Sequence, residues 1–212
     1  MPETWQCYIK ICGVTSVEDA TMVADAGASA LGLIFAESPR RLSVDAAKEI
    51  VEATSGRLLR GAVFRYDSDA FILECLDELS VEIVQLHGAL SDSQLSELRQ
   101  RDVLIVKALN IEADEFDAFD ETSVDAVMVD GAKPGSGQPH SWGRLRTRRF
   151  RVPVIAAGGL NPENVEAIVR ATGVVGADCA SGVESRPGVK DPALVKRFIT
   201  SAQRAFSSVE AS

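Results

Sequence analysis

The chain has 212 residues, of which 46% are hydrophobic, and this length and composition predict one domain with a full core. A formal net charge of -9 argues against a nucleic-acid partner, because a duplex binder needs a basic surface, and no apolar run approaches the length that spans a membrane. The four cysteines have neither CxxC spacing nor nearby paired histidines, so we expect no structural zinc site, no disulfide framework and a reduced, cytoplasmic protein.

Eight short strand-like segments alternate with amphipathic helical segments along the chain. The predicted strands are residues 8–11, 30–35, 60–64, 83–86, 103–108, 126–129, 153–156 and 176–179. Several are nearly continuous apolar runs, which is typical of parallel strands that are buried on both faces. Eight strand–helix units of about 25 residues each predict an α/β fold, a single (β/α)8 or TIM barrel, with an open doubly wound sheet as the alternative.

The helical segments have recognisable starts. Residues that favour a helix start are Thr15 or Ser16, Ser43, Ser91, Asn161 before Pro162, and Pro192. Gly27 ends the first helix. The acidic segment 110–122 predicts a short or irregular fifth helix, and the sixth, from about residue 142, is poorly defined. We expect the barrel domain to span residues 1–206 and the tail 207–212 to be frayed.

Four residues that are able to do chemistry fall at the carboxyl ends of predicted strands, the edge where barrels bind ligands. Cys12 ends the first strand, Arg40 follows the second, His87 follows the fourth and Asp130 ends the sixth. A carboxylate that ends an apolar strand is costly to bury unless it is paired or used. Taken singly, these residues equally fit a buried thiol, a surface cation, a loop histidine and a capping aspartate.

Two glycine-containing turns follow the seventh and eighth strands. The first holds Gly158 and Gly159, and the second holds Ser181 and Gly182. Glycines let backbone N–H groups approach an anion, and barrels frequently build phosphate sites from these two loops. The pair of turns therefore predicts a phosphate site. The small-residue loop 133–138 fits either a lid or a plain surface loop.

Taken together, these segments resemble the phosphoribosylanthranilate isomerases of tryptophan biosynthesis. The matching stretches occur in family order. In the first half they are Lys-Ile-Cys-Gly-Val-Thr from residue 10, Ser-Pro-Arg from 38 and Val-Gln-Leu-His-Gly from 84. In the second half they are Val-Asp at 129–130 with Gly-Ser-Gly at 135–137, Gly-Gly-Leu-Asn-Pro-Glu-Asn-Val from 158, and Ser-Gly-Val-Glu from 181 with Pro-Gly-Val-Lys-Asp from 187. The chain departs from the family pattern at His140-Ser141, where Phe-Asp is usual, and at Ala180, where serine is common.

The resemblance implies a (β/α)8 barrel without metal or cofactor that converts N-(5-phosphoribosyl)anthranilate to 1-(2-carboxyphenylamino)-1-deoxyribulose 5-phosphate. This reaction is an Amadori rearrangement that uses general acid and base catalysis. By matching position, the resemblance implies Cys12 as the general base, Asp130 as the general acid and Arg40 as the residue that orients the substrate through its carboxylate. We group His87 with Arg40 as a candidate substrate-binding residue. The expected partner is the small phosphoribosyl substrate, and the chain is expected to be a monomer or a homodimer.

Two other functions compete with the isomerase. A different phosphosugar enzyme on the same barrel is the first. An epimerase needs paired acids or metal-ligating His/Asp clusters, and with only His87 and His140 the chain lacks the ligands, whereas Lys10 or Lys107 leaves a Schiff-base aldolase open. A phosphosugar-binding barrel without activity is the second, and it is expected to lack the acid or the base. The acidic, lysine-poor composition, with 31 acids against 22 bases, fits either a protein of concentrated salt or an ordinary acidic enzyme.

Overall fold

Eight parallel strands close into a barrel in the computed structural model, which describes residues 5–131 and 142–210. The strands are β1 Tyr8–Cys12, β2 Ala30–Ile34, β3 Leu59–Arg65, β4 Ile83–His87, β5 Leu104–Asn110, β6 Ala126–Asp130, β7 Val154–Ala157 and β8 Gly176–Cys179. Each strand pairs with the next, and β8 pairs with β1, so that Lys10 lies opposite Asp178. The predicted (β/α)8 barrel is confirmed, because an open doubly wound sheet would leave two unpaired edges.

Within the described residues, eight α-helices surround the barrel: α1 Val17–Asp25, α2 Val44–Ala53, α3 Asp69–Glu78, α4 Asp92–Arg99, α5 Glu115–Ala118, α6 Gly143–Thr147, α7 Val165–Thr172 and α8 Pro192–Glu210. Three predicted caps are confirmed, since the hydroxyl groups of Ser16, Ser43 and Ser91 accept backbone N–H bonds at 3.1–3.2 Å. Helix α5 is one turn long, as its weak periodicity predicts. A short antiparallel hairpin, β9 Glu184–Arg186 and β10 Val189–Lys190, separates β8 from α8.

Two predicted boundaries differ from the structure. Helix α7 begins at Val165 rather than directly after Asn161, because Asn161 Oδ1 accepts two backbone N–H bonds and holds the intervening residues in a turn. The tail from Ser207 was expected to be frayed, but α8 continues to Glu210. Phe206 is buried against the barrel and anchors this end of the helix, and Ser207 Oγ donates to the carbonyl of Gln203 at 3.0 Å.

The apolar side chains form two layers. The larger lies between the outer face of the sheet and the helices, and the smaller fills the barrel interior around Tyr8, Ile83 and Met128. Because side chains alternate along a strand, the residues between these apolar positions face the opposite layer. Three buried polar side chains, those of Lys10, Gln85 and Asp178, face the interior next to this apolar layer and bound the candidate site. No helix in residues 5–131 or 142–210 is long and apolar enough to cross a membrane.

Candidate functional site

All of the predicted site residues lie at the carboxyl edge of the barrel. Cys12, His87 and Asp130 are the last residues of β1, β4 and β6, Arg40 follows β2, Gly158 and Gly159 follow β7, and Ser181 and Gly182 follow β8. This is the edge at which barrel enzymes carry out their chemistry. The loop 133–138 and the departures at His140 and Ser141 lie outside the described residues.

A buried ion pair forms the floor of the site. Lys10 Nζ donates to Asp178 Oδ1 at 2.9 Å and to Gln85 Oε1 at 3.0 Å, and the Lys10 side chain is 1% exposed. Lys10 precedes Cys12 by two residues, so both side chains point to the same face of β1. Sequence reasoning missed Asp178 and Gln85. Each of these two residues is polar and lies inside a short strand of mostly apolar or small residues, and this pattern could have marked both as candidates.

Cys12 is buried beside this ion pair, in space that a glycine of β2 leaves open. A methyl group added to Gly32 would lie 2.6 Å from Cys12 Sγ and 3.0 Å from Lys10 Cε. Burial raises the pKa of the Cys12 thiol, while the ammonium groups of Lys10 and Lys190 act in the opposite direction. The thiol is therefore protonated at neutral pH, and a positive charge on a bound substrate would favour its ionisation.

Asp130 has the electrostatic properties of a general acid. Burial, and then the negative charge of Asp178, raise the pKa of Asp130 to about 6, whereas Arg65 lowers it. A carboxyl group with this pKa holds a proton in part of the molecules near neutral pH. Its position depends on Gly158, because a methyl group at residue 158 would overlap Asp130 Oδ1. The predicted phosphate glycine therefore also makes room for the acid.

His87 is neutral, and its hydrogen bonds fix which ring nitrogen carries the proton. Burial and the charge of Arg65 lower the pKa of His87 to about 4. Lys10 only donates, so Gln85 turns its carbonyl oxygen to Lys10 and its amide N–H to His87 Nε2, 3.1 Å away. His87 Nε2 must then accept, which leaves the ring proton on Nδ1. His87 is available to a ligand as a neutral hydrogen-bond donor.

Arg40 is held by Glu184, a residue that sequence reasoning did not single out. Arg40 Nε donates to Glu184 Oε1 at 2.7 Å, and an Nη2 hydrogen completes the pair with Oε2 at 2.6 Å. Lys190 Nζ also donates to Glu184 Oε1, at 2.8 Å. No local pattern pairs residue 40 with residue 184, because the contact joins the loop after β2 to the hairpin after β8.

The two predicted phosphate turns touch each other. Gly158 and Gly159 have φ values of +81° and +70°, in the left-handed region that favours glycine, and a methyl group added to Gly159 would meet no atom within 4 Å. A methyl group at Gly182 would overlap the carbonyl oxygen of Leu160, so the turn after β8 packs directly on the turn after β7. Anion binding by these turns stays a prediction. Ala180, which lacks the hydroxyl common in the family, uses its carbonyl to accept from Lys190 at 3.1 Å.

The two lysines that left an aldolase open are both ion-paired. Lys107 lies outside the sheet, where Nζ is 2.9 Å from Glu115 of α5 and stands over the Phe119 ring. Lys10 faces the interior but is bound to Asp178. A Schiff-base lysine needs a neutral amine that faces the site. Lys107 faces away from the interior, and although burial lowers the pKa of Lys10, the negative charge of Asp178 raises it above its ordinary value. Within residues 5–131 and 142–210, no group of three or more His, Cys, Asp or Glu side chains is placed to hold a metal ion.

Comparison with known proteins identifies a family that covers most of the chain. The family model described as N-(5'phosphoribosyl)anthranilate (PRA) isomerase matches residues 9–201 of the chain. A relative from Cellvibrio japonicus, named N-(5'-phosphoribosyl)anthranilate isomerase, is 37% identical over 208 residues, which cover 95% of this chain and 96% of the relative.

Solved structures give the same result. The phosphoribosyl anthranilate isomerase of Thermotoga maritima superposes with a TM-score of 0.85 at 31% identity, covering 93% of this chain and 98% of that one. A phosphoribosyl anthranilate isomerase in complex with reduced 1-(o-carboxyphenylamino)-1-deoxyribulose 5-phosphate superposes with a TM-score of 0.82 at 29% identity, with coverage of 93% and 98%.

Proposed function

This chain belongs to the N-(5'-phosphoribosyl)anthranilate isomerase family and catalyses that isomerisation in tryptophan biosynthesis, and we propose that Cys12 and Asp130 carry out its proton transfers. The observation that supports this assignment is electrostatic. One interior cluster holds a carboxyl group whose pKa is raised to about 6 together with a thiol buried beside a lysine ammonium. The reaction needs one group that donates a proton and another that removes one.

Asp130 is assigned to opening of the ribose ring. The acid gives its proton to the ring oxygen, the bond between that oxygen and C1 breaks, and the electron pair on the anthranilate nitrogen forms a C1=N iminium. The raised pKa of Asp130 suits this step, because the carboxyl holds a proton near neutral pH and becomes a carboxylate afterwards. That carboxylate then faces the new iminium cation and stabilises it.

Cys12 is assigned to the second transfer. The iminium acidifies the C–H bond on C2. The Cys12 thiol releases its proton to water, and the thiolate then removes the C2 proton to give an enolamine. The enolamine takes up a proton at C1 and loses the proton of its C2 hydroxyl, which gives the C2 ketone. Burial disfavours the Cys12 thiolate, whereas the ammonium of Lys10 and the positive charge of the iminium favour it. The base therefore becomes effective when the ring has opened, which keeps the two proton transfers in order.

Substrate orientation is assigned to the remaining site residues. Arg40 is proposed to bind the anthranilate carboxylate, because a guanidinium offers the planar fork of donors that a carboxylate accepts. His87 Nδ1–H is proposed as a second donor to the substrate. The turns that carry Gly159 and Ser181 are proposed to bind the phosphate, so that its binding energy positions the ribose between acid and base.

The test is consumption of freshly made phosphoribosylanthranilate by the purified protein, followed by loss of anthranilate-type fluorescence. Cys12→Ser and Asp130→Asn are each expected to lower kcat by about 10²–10⁴. Turnover of the substrate at a wild-type rate by either variant would show that the proton transfer belongs to another residue.

We also propose that the protein works in the cytoplasm, as a monomer or a homodimer. Cys12, Cys75 and Cys179 are buried thiols, which suits a reducing compartment. Fractionation of the source cells tests the location. Light scattering coupled to size-exclusion chromatography gives the mass of the particle in solution, and a trimer or larger assembly would contradict the second expectation.

A further inference from the structure

A three-residue ionic cluster joins the active-site arginine to a fully buried lysine. Arg40 and Lys190 are its cations and Glu184 is its anion. The exposed fractions of these side chains are 18% for Arg40, 4% for Glu184 and 0% for Lys190. None of these ion-pair contacts is needed for the two proton transfers assigned above, so the cluster requires its own explanation.

The pairing uses one edge of the Arg40 guanidinium and leaves another open. A guanidinium carries five N–H groups, and Glu184 takes the Nε hydrogen and one Nη2 hydrogen. Among residues 5–131 and 142–210, both Nη1 hydrogens and the second Nη2 hydrogen have no hydrogen-bond partner, and together they form the end of the side chain. This end is itself a fork that is able to bind one carboxylate through two parallel hydrogen bonds.

The stem of Arg40 is fixed as well. It crosses Gly13, where an added methyl group would overlap Arg40 Cδ. Gly13 has a φ of +70° and directly follows Cys12. The guanidinium therefore lies next to the end of the strand that carries the base, and its rotation is set by Glu184 rather than by solvent.

Lys190 holds the pair in place and connects it to the catalytic strand ends. Its Nζ donates to the carbonyl of Cys12 at 2.7 Å, to the carbonyl of Ala180 at 3.1 Å and to Glu184 Oε1 at 2.8 Å. All three donors of the ammonium are thereby used. With two cations and one carboxylate, the cluster keeps one net positive charge, and the open end of Arg40 presents it.

We propose that Glu184, anchored by Lys190, is a positioning residue that turns the open end of Arg40 toward the substrate carboxylate and so sets the preference for a carboxylated aryl amine. The inference rests on the proposed role of Arg40. Without Glu184 the long side chain would sample many rotamers, and the carboxylate would have to order it on binding. Removal of Glu184 therefore weakens recognition of the carboxylate specifically, and the chemistry at C1 and C2 continues.

The experiment compares two substrates, phosphoribosylanthranilate and phosphoribosylaniline, which lacks the carboxylate. For the wild-type protein, loss of the carboxylate is expected to lower kcat/KM about 10- to 150-fold, the usual range for hydrogen bonds between charged groups. We call kcat/KM for phosphoribosylanthranilate divided by kcat/KM for phosphoribosylaniline the substrate ratio. Glu184→Gln cannot accept from all three donors, two on Arg40 and one on Lys190. We therefore expect it to reduce the substrate ratio about fivefold or more, mainly by raising KM for the carboxylated substrate. Its kcat for phosphoribosylaniline is expected to stay within about threefold of the wild-type value.

Three variants make the outcome decisive. Glu78→Gln removes an exposed carboxylate that pairs with Lys48, and it should leave the substrate ratio unchanged. Arg40→Met should bring the substrate ratio close to one, because it removes the donor to the carboxylate. Glu184→Asp keeps the charge but draws the carboxylate back by one carbon, so it should also reduce the ratio, and it replaces Glu184→Gln if that variant does not fold.

The results separate the two assignments. An unchanged ratio in the Glu184 variants, with Arg40→Met abolishing it, would overturn the role of Glu184 and leave that of Arg40. A ratio that survives Arg40→Met would overturn the carboxylate contact itself. An equal loss of kcat/KM for both substrates in Glu184→Gln would show that Glu184 only stabilises the fold.

Discussion

Asp130 is expected to make the folded protein less stable at neutral pH than a neutral side chain would. Burial, and then the charge of Asp178, raise its pKa from 3.8 to about 6. At about 1.4 kcal/mol per pKa unit, this rise corresponds to about 3 kcal/mol of folding free energy that is lost when the group ionises. We therefore expect Asp130→Asn, which has the same shape and stays neutral, to raise the free energy of unfolding by about 2–3 kcal/mol at pH 8 while kcat falls.

The sign of the pH dependence follows from the order of the two pKa values. The folded state has the higher pKa, so between about pH 4 and pH 6 it binds more protons than the unfolded state. The contribution of Asp130 to stability is therefore fully present at low pH and is lost as pH rises through this window. The advantage of Asp130→Asn should be about 1 kcal/mol at pH 4.5, about a third of the full value that it reaches above about pH 7.

Urea unfolding followed by circular dichroism at pH 4.5, 6 and 8 measures this difference. Thermal melts should show the variant about 4–12 °C more stable at pH 8, given about 2–4 °C per kcal/mol for a chain of this size. Asp77→Asn is the control, because Asp77 is exposed on α3, and its effect should stay within about 0.5 kcal/mol. An Asp130→Asn variant that is less stable than wild type at pH 8, or whose advantage does not change with pH, would refute the electrostatic reasoning.

Three further predictions test the base, the glycine turn and the surface charge. Cys12→Ser should lower kcat by about 10²–10⁴ at unchanged fold, and Cys75→Ala, a buried thiol of α3, should keep kcat, as stopped-flow fluorescence would show. Gly158→Ala should lower kcat about 100-fold, because the methyl group displaces Asp130 Oδ1, whereas Gly173→Ala, at the same left-handed φ with open space at the end of α7, should keep kcat; equal values would contradict this role of Gly158. The melting temperature should rise from low to molar potassium chloride, since screening shortens charge repulsion to about 3 Å at 1 M, and a flat or falling series would refute the halophile interpretation.

The barrel was predictable because its strands are buried on both faces. In a chain whose strand-like and helix-like segments alternate, an apolar run such as residues 30–35 predicts a buried parallel strand. The order of the segments in the chain then gives the neighbours of that strand in the barrel. Helix starts were predictable where a serine hydroxyl accepts one N–H bond. They were less so at Asn161, whose side chain accepts two N–H bonds and holds a turn instead of opening the helix.

The positions of the reactive groups were predictable, but their partners were not. Cys12 and Asp130 stand out because a polar side chain ends an apolar strand. Glu184 and Lys190 lie in a short hairpin after β8, where no periodicity marks a buried residue. Their role depends on contacts with the loop after β2 and with β1, and local sequence patterns carry no information about contacts at that separation.

The contacts that close the barrel between β1 and β8 predict when the active site forms during folding. Lys10 meets Asp178 across 168 residues, and Lys190 meets the carbonyl of Cys12 across 178, so both contacts join the two ends of the chain. Contacts at such separations form slowly, because the entropy of closing a long loop is lost before they are made. During refolding, enzymatic activity should therefore return with the last structural phase, after helical circular dichroism has recovered. A truncated barrel that stops before β8 would contain Cys12 and Arg40 but would lack Asp178, which pairs with Lys10, and Glu184, which orients Arg40.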